Sequence, residues 1–296
     1  METMPSNNPV FRNSDQFKPG YNAYGDARYA GNGSSYAGYG DPSTWSVGSP
    51  GAGTGTARTR TSRGPMTIDT VVQATGISIG VVVVAAIVTW IVTPDVMVGG
   101  LANTAGIGKL YTLTTIGGLA ALVLSLVNSF KRITSPALVV LFAAAEGVAL
   151  GGLSKVFDAA FGAGVISGAV LGTFAAFAGT LAAYKIFDVK IGNKFRMMVT
   201  GAMFGLVGLM ALDLLLSLFG HGLGLFGFGP LGFLTALAGV VLGVFMLVMD
   251  FDFVQQGIRN GLDSTESWRA AFAMTVSLIW IYTNLLRLIA IFTNNN

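Results

Sequence analysis

Seven stretches of about twenty mostly apolar residues follow one another from Met66 to the C-terminus, and they leave the chain few ways to fold. They run roughly Val71–Val92, Leu110–Phe130, Pro136–Val156, Ala163–Ile186, Met198–Phe219, Leu231–Asp250 and Ala270–Phe292. Each is long enough to cross the hydrocarbon core of a bilayer as a helix. Inside lipid a spanning segment must satisfy its own backbone hydrogen bonds, and a helix does so within itself. The expected fold is therefore an all-α membrane protein, a seven-transmembrane helix bundle over residues 66–296. Composition agrees: only 10% of residues are charged, against about a quarter in soluble domains.

Glycine and proline punctuate the gaps at Pro94, Gly99-Gly100, Pro136, Gly192 and the run "GHGLGLFGFGP" at 220–230. Glycines within the spans, among them Gly117, Gly147, Gly151 and Gly205, suit close helix–helix approach. If the N-terminus is cytoplasmic, so are the second, fourth and sixth connections. Those carry Lys131 and Arg132, then Lys185, Lys190, Lys194 and Arg196, then Arg259 and Arg269. The opposite face has Lys109, with Lys155 near a helix end. This asymmetry places the N-terminus inside and the C-terminus outside. A re-entrant final segment is the alternative, because "TVSLIWIYTNLLRLIAIF" carries several polar groups.

Residues 1–65 are different. A segment such as "YNAYGDARYAGNGSSYAGYGDPSTW" has no helical or strand periodicity and few aliphatic residues. It cannot bury enough apolar area to offset its ordering entropy, so a disordered cytoplasmic tail is expected. Its run "GAGTGTARTRTSRG" is not a phosphate loop, since no strand precedes it and no Gly-Lys-Ser/Thr follows. Arg58, Arg60 and Arg63 suit anchoring beside anionic lipid.

Ionisable residues inside spans are costly and mark candidate functional sites. Glu146 lies mid-span in "LFAAAEGVALGG" and Asp213 in "LMALDLLLSLF". Asp250 and Asp252 close the sixth span in "LVMDFDFVQQG", and Arg287 is deep in the seventh. At a rise of about 1.5 Å per residue, Glu146, Asp213 and Arg287 lie roughly 15, 22 and 27 Å from the cytoplasmic ends of their helices. A Glu146–Arg287 or Asp213–Arg287 pair is within reach. Such a pair serves either as a structural lock or as part of an ion path. Asn284 shares the face of Arg287. Asp250 is placed at the depth of Ser277, and Asp252 is expected to be the less buried aspartate.

Several chemistries are disfavoured. The chain has no cysteine and one histidine, His221, which removes thiolate chemistry and multi-histidine zinc sites. A serine intramembrane protease needs Gly-x-Ser-Gly, and the nearest run, "GVISG" at 164–168, lacks the first glycine. An aspartyl type needs Gly-x-Gly-Asp within a span, and no apolar stretch carries it; the run "GYGD" at 38–41 lies in the polar tail. No inverted repeat of broken helices suggests a transporter. No enzymatic activity, cofactor or nucleic-acid partner is expected. No fixed metal site is expected either, although Glu146, Asp213 and Asp250 could touch calcium transiently.

At these residues the chain resembles the Bax inhibitor-1, or transmembrane Bax-inhibitor-motif, family. The features are Glu146-Gly147 in the third span, Asp250 followed by Val254 in the sixth, and the ending "LLRLIA" with Arg287. The early "NPVFRN" resembles bacterial, especially actinobacterial, members. The resemblance implies a seven-helix bundle with the final helix near its centre, in a bacterial plasma membrane. It also implies a Glu146–Arg287 pair, and a pH-sensitive calcium or cation leak whose paired aspartates share a proton in the closed state. Asp250 would be the first aspartate. The second should lie ten residues before Arg287, where this chain has Ser277. No carboxyl–carboxylate pair can form there, and Asp252 or Asp213 would have to substitute. The competing function is a membrane protein that binds and regulates a partner, such as a membrane protease, without conducting ions.

Overall fold

The computed structural model describes residues 64–98, 101–131, 134–186 and 191–294. The expected disordered tail as far as residue 63, with Arg58, Arg60 and Arg63, lies outside the described residues, as do Gly99-Gly100, Arg132 and Lys190. Seven helices follow in chain order: α1 Ile68–Val92, α2 Thr104–Phe130, α3 Pro136–Phe161, α4 Ala163–Ile186, α5 Asn193–Leu218, α6 Pro230–Arg259 and α7 Glu266–Asn294. A two-residue hairpin, β1 Met97–Val98 with β2 Leu101–Ala102, joins α1 to α2. All seven helices are long and apolar enough to cross a membrane. Large apolar side chains such as Val84, Leu122 and Phe204 face outward along the spans. The chain is an integral membrane protein.

Most of the helices outlast the apolar stretches that announce them, while α4 keeps the expected bounds Ala163–Ile186. α5 starts at Asn193, before the expected Met198, and α6 continues past Asp250 to Arg259. Apolarity measures the hydrocarbon, whereas the helix continues into the headgroup region on polar side chains. α7 is one unbroken helix, so the re-entrant alternative is not realised. Local signals set the starts. Thr67 and Thr70 form a reciprocal capping box before α1, Asn103 caps α2, and prolines open α3 and α6.

Small residues set the register. Gly147 and Gly151 on α3 meet α1 backbone at Val82 and Ala86. Gly117 on α2 meets Ala145 and Ala149, and Gly152 meets Thr114. These pairings make α1 and α3 parallel and α2 antiparallel to both. α7 is the hub, packing against α1, α3, α4 and α6, with α2 resting on α3 and α5 on α6. The start of α1 is clipped to the α6–α7 loop. Met66 N–H donates to Leu262 O at 2.7 Å, and Ser264 N–H to Gly64 O at 3.1 Å. α1 and α7 therefore begin at the same end of the bundle, called here the first end.

Candidate functional site

The seam between α6 and α7 carries polar groups because α6 presents glycines to it. A side chain at Gly239 would collide with Asn284, and one at Gly243 with Ile281. Trp280 Nε1–H reaches the Gly239 carbonyl at 2.9 Å. Toward the first end, Ser277 Oγ–H donates to the Asp250 carboxylate at 2.6 Å. Ser277 is fully buried and Asp250 half-buried. The position where a second acid was sought therefore still contacts Asp250, through a hydroxyl.

Asp252 follows Asp250 by two residues, about 200° around the helix, and so faces another neighbour. Its carboxylate is ion-paired with Arg196 on α5. It also accepts from Gln256 Nε2 at 2.7 Å and from Tyr184 Oη at 3.4 Å. At 8% exposure Asp252 is buried, which reverses the expected order of the two aspartates. The cause is the face of α6 that Asp252 occupies, where Arg196, Tyr184 and Gln256 cover it. Arg196 was read from the sequence only as an orientation signal.

Asp213 and Arg287 meet through a loop and not directly. Asp213, 2% exposed, accepts from Leu223 N–H at 2.5 Å and Leu225 N–H at 2.9 Å. Arg287 donates to Leu225 O at 2.6 Å and stacks over Phe226, 5.5 Å from the ring centre. Thr235 Oγ1 shares the same carbonyl at 2.7 Å. The glycine-rich loop is thus drawn into the second end of the bundle.

The expected Glu146–Arg287 pair is absent among the described residues. Helix register explains this. Ser154 on α3 is level with Tyr282 on α7, their hydroxyls 2.7 Å apart. Glu146 lies eight residues below that level and Arg287 five above, an axial gap of about 20 Å. Counting each residue from its own helix start hid this offset. The same register puts Glu146 near the level of Ser277 and Asp250. Glu146 is half-buried, and no described residue hydrogen-bonds it. Asn284 donates to Trp280 O at 2.8 Å, while its buried Oδ1 has no partner among the described residues.

Lys155 was missed as a buried cation although it fell within the apolar stretch. It is 6% exposed. Its ammonium donates to Trp90 O at 2.9 Å and Thr93 O at 2.6 Å, and lies 3.4 Å from Asp95. The last turn of α1 leaves carbonyls without intrahelical partners, and Lys155 supplies them from α3. No cluster of three or more His, Asp or Glu that could hold a metal occurs among the described residues. Glu146, Asp213 and Asp250 are not gathered, because Asp213 is taken by the loop.

The family model described as Bax inhibitor 1 like matches residues 8–294. Among curated proteins no match was found.

Proposed function

The chain belongs to the Bax inhibitor 1 like family, and from that premise we propose that it is a pH-sensitive leak for calcium or other cations. The observation that carries this reading is the hydrogen bond from Ser277 on the hub helix to Asp250 on α6. An ionised Asp250 accepts a hydrogen bond from the Ser277 hydroxyl, and a protonated one can donate instead. Proton exchange at this one carboxyl therefore alters the contact between two helices. Between this level and Asn284 the seam is filled by the fully buried Ile281. A path along the seam requires α7 to shift so that Ile281 withdraws.

Asp250 and Glu146, near one level, are the acids that would meet a cation there. Calcium takes six to eight oxygens, so two carboxylates make a passing contact and not a storage site. On this reading the first end faces the cytoplasm, since Lys131, Lys194, Arg196, Arg259 and Arg269 gather there. The competing reading is a regulatory membrane protein that does not conduct, which the closed packing around Ile281 favours.

Calcium entry into liposomes holding the purified protein, from pH 6 to 8, decides between them. A pH-dependent flux altered in Asp250→Asn supports the leak. A folded protein that passes no ion at any pH leaves the regulatory reading.

A further inference from the structure

α1 and α4 both rest on α3 and α7, and a cleft of about 480 Å³ lies between them. Val83 and Ile87 form one wall and Val170 and Phe174 the other, all exposed on the outer surface of the bundle. In a membrane protein such an opening faces hydrocarbon. The cleft is thus continuous with the lipid-facing surface. It runs along α1 from Ile79 to Trp90, a length of about 17 Å at the helical rise. That is close to half of the roughly 30 Å hydrocarbon core, the depth of one leaflet. Trp90 sits where that leaflet meets the interface, a usual place for indole.

The floor is plain hydrocarbon in its chemistry. Ser154 Oγ–H donates to Leu150 O at 2.6 Å, and the Tyr282 hydroxyl can donate to Ser154 Oγ at 2.7 Å. Thr173 and Thr275 donate to Ala169 O and Ala271 O, each at 2.7 Å. Every hydroxyl proton on the lining can thus be used within the protein. Apart from the Trp90 indole at the cleft's outer end, a polar headgroup would find no donor there, and water would find too few partners. An empty slot would forfeit dispersion contacts on all its walls.

We infer that the cleft between α1 and α4 holds one acyl chain of a bilayer phospholipid, in the leaflet at the second end. The chain packs against Thr275 and Tyr282 of the hub helix and completes a wall that the protein leaves open.

The test uses the full chain in phosphatidylcholine vesicles doped with a phosphatidylcholine carrying a diazirine midway along its acyl chain. After illumination and digestion, adducts are mapped by mass spectrometry. Adducts on Val83, Ile87, Val170 and Phe174 should be several-fold denser than on the outward face of α5 at Phe204 and Leu215. Val170→Trp should remove the cleft adducts and leave those on α5. If that variant does not fold, Ile87→Phe blocks the same slot from the other wall. Equal labelling of cleft and α5 overturns the inference. So does labelling unchanged in the blocked variant.

Discussion

Asp213 and Arg287, on different helices, hold the two ends of the same residue: the carboxylate takes the N–H of Leu225 and the guanidinium takes its carbonyl. The loop between them is rich in glycine, and Gly220 and Gly224 adopt positive φ. Such a segment has little reason of its own to be ordered. Its position at the second end rests on these two side chains, with Thr235 on the same carbonyl and Phe228 packed against Phe157 and Phe161.

Asp213→Ala should leave two loop N–H groups without their acceptor, destabilising by about 2–4 kcal/mol. Hydrogen exchange should rise across 220–229 in that variant and in Arg287→Gln. A double-mutant cycle, read by melting temperature in detergent, should show coupling between the two. Additive losses with an unchanged loop would contradict this account.

The charge swap Glu146→Arg with Arg287→Glu should not restore stability lost by either single change. The two groups are about 20 Å apart along the bundle axis. Rescue in the melting temperature would mean that they pair after all.

Lys155→Met should cost about 1–3 kcal/mol, since Thr93 O loses its donor and Trp90 O keeps only the long bond from Thr93 Oγ1. Asp95→Asn should cost at most about 1 kcal/mol, because Asp95 is 79% exposed and its ion pair is solvated. Thermal unfolding of both variants in one detergent measures the order.

Glycine substitutions should divide by location. Gly151→Val places atoms into the Ala86 backbone and should lose about 1–3 kcal/mol or fail to fold. Gly80→Ala meets nothing within 4 Å and should stay within about 1 kcal/mol of the parent. Yield and melting temperature after extraction report both.

At the α6–α7 contact, Ser277→Ala removes the donor to Asp250, while Ser277→Asp places a second carboxyl beside it. On the leak reading, calcium flux should change its pH profile in both, and most steeply in Ser277→Asp. Asp250→Asn has no proton to exchange there and should flatten the profile. Three profiles indistinguishable from the parent's would remove Asp250 from the gate.

The sequence by itself determined the seven spans, because the length of an apolar run is a direct measure of bilayer thickness. It also singled out the acids and the arginine, since any charge within such a run is costly enough to stand out. Their partners were decided by the tertiary structure alone. Axial register depends on where glycines let two backbones meet, as Gly147 and Gly151 do against α1, and no local pattern states which helix they meet. That register separated Glu146 from Arg287, set Ser277 against Asp250 and turned Lys155 inward to the end of α1. A side chain's neighbour in a bundle is fixed by the sum of all the packing contacts around it, whereas its cost in lipid belongs to the residue itself.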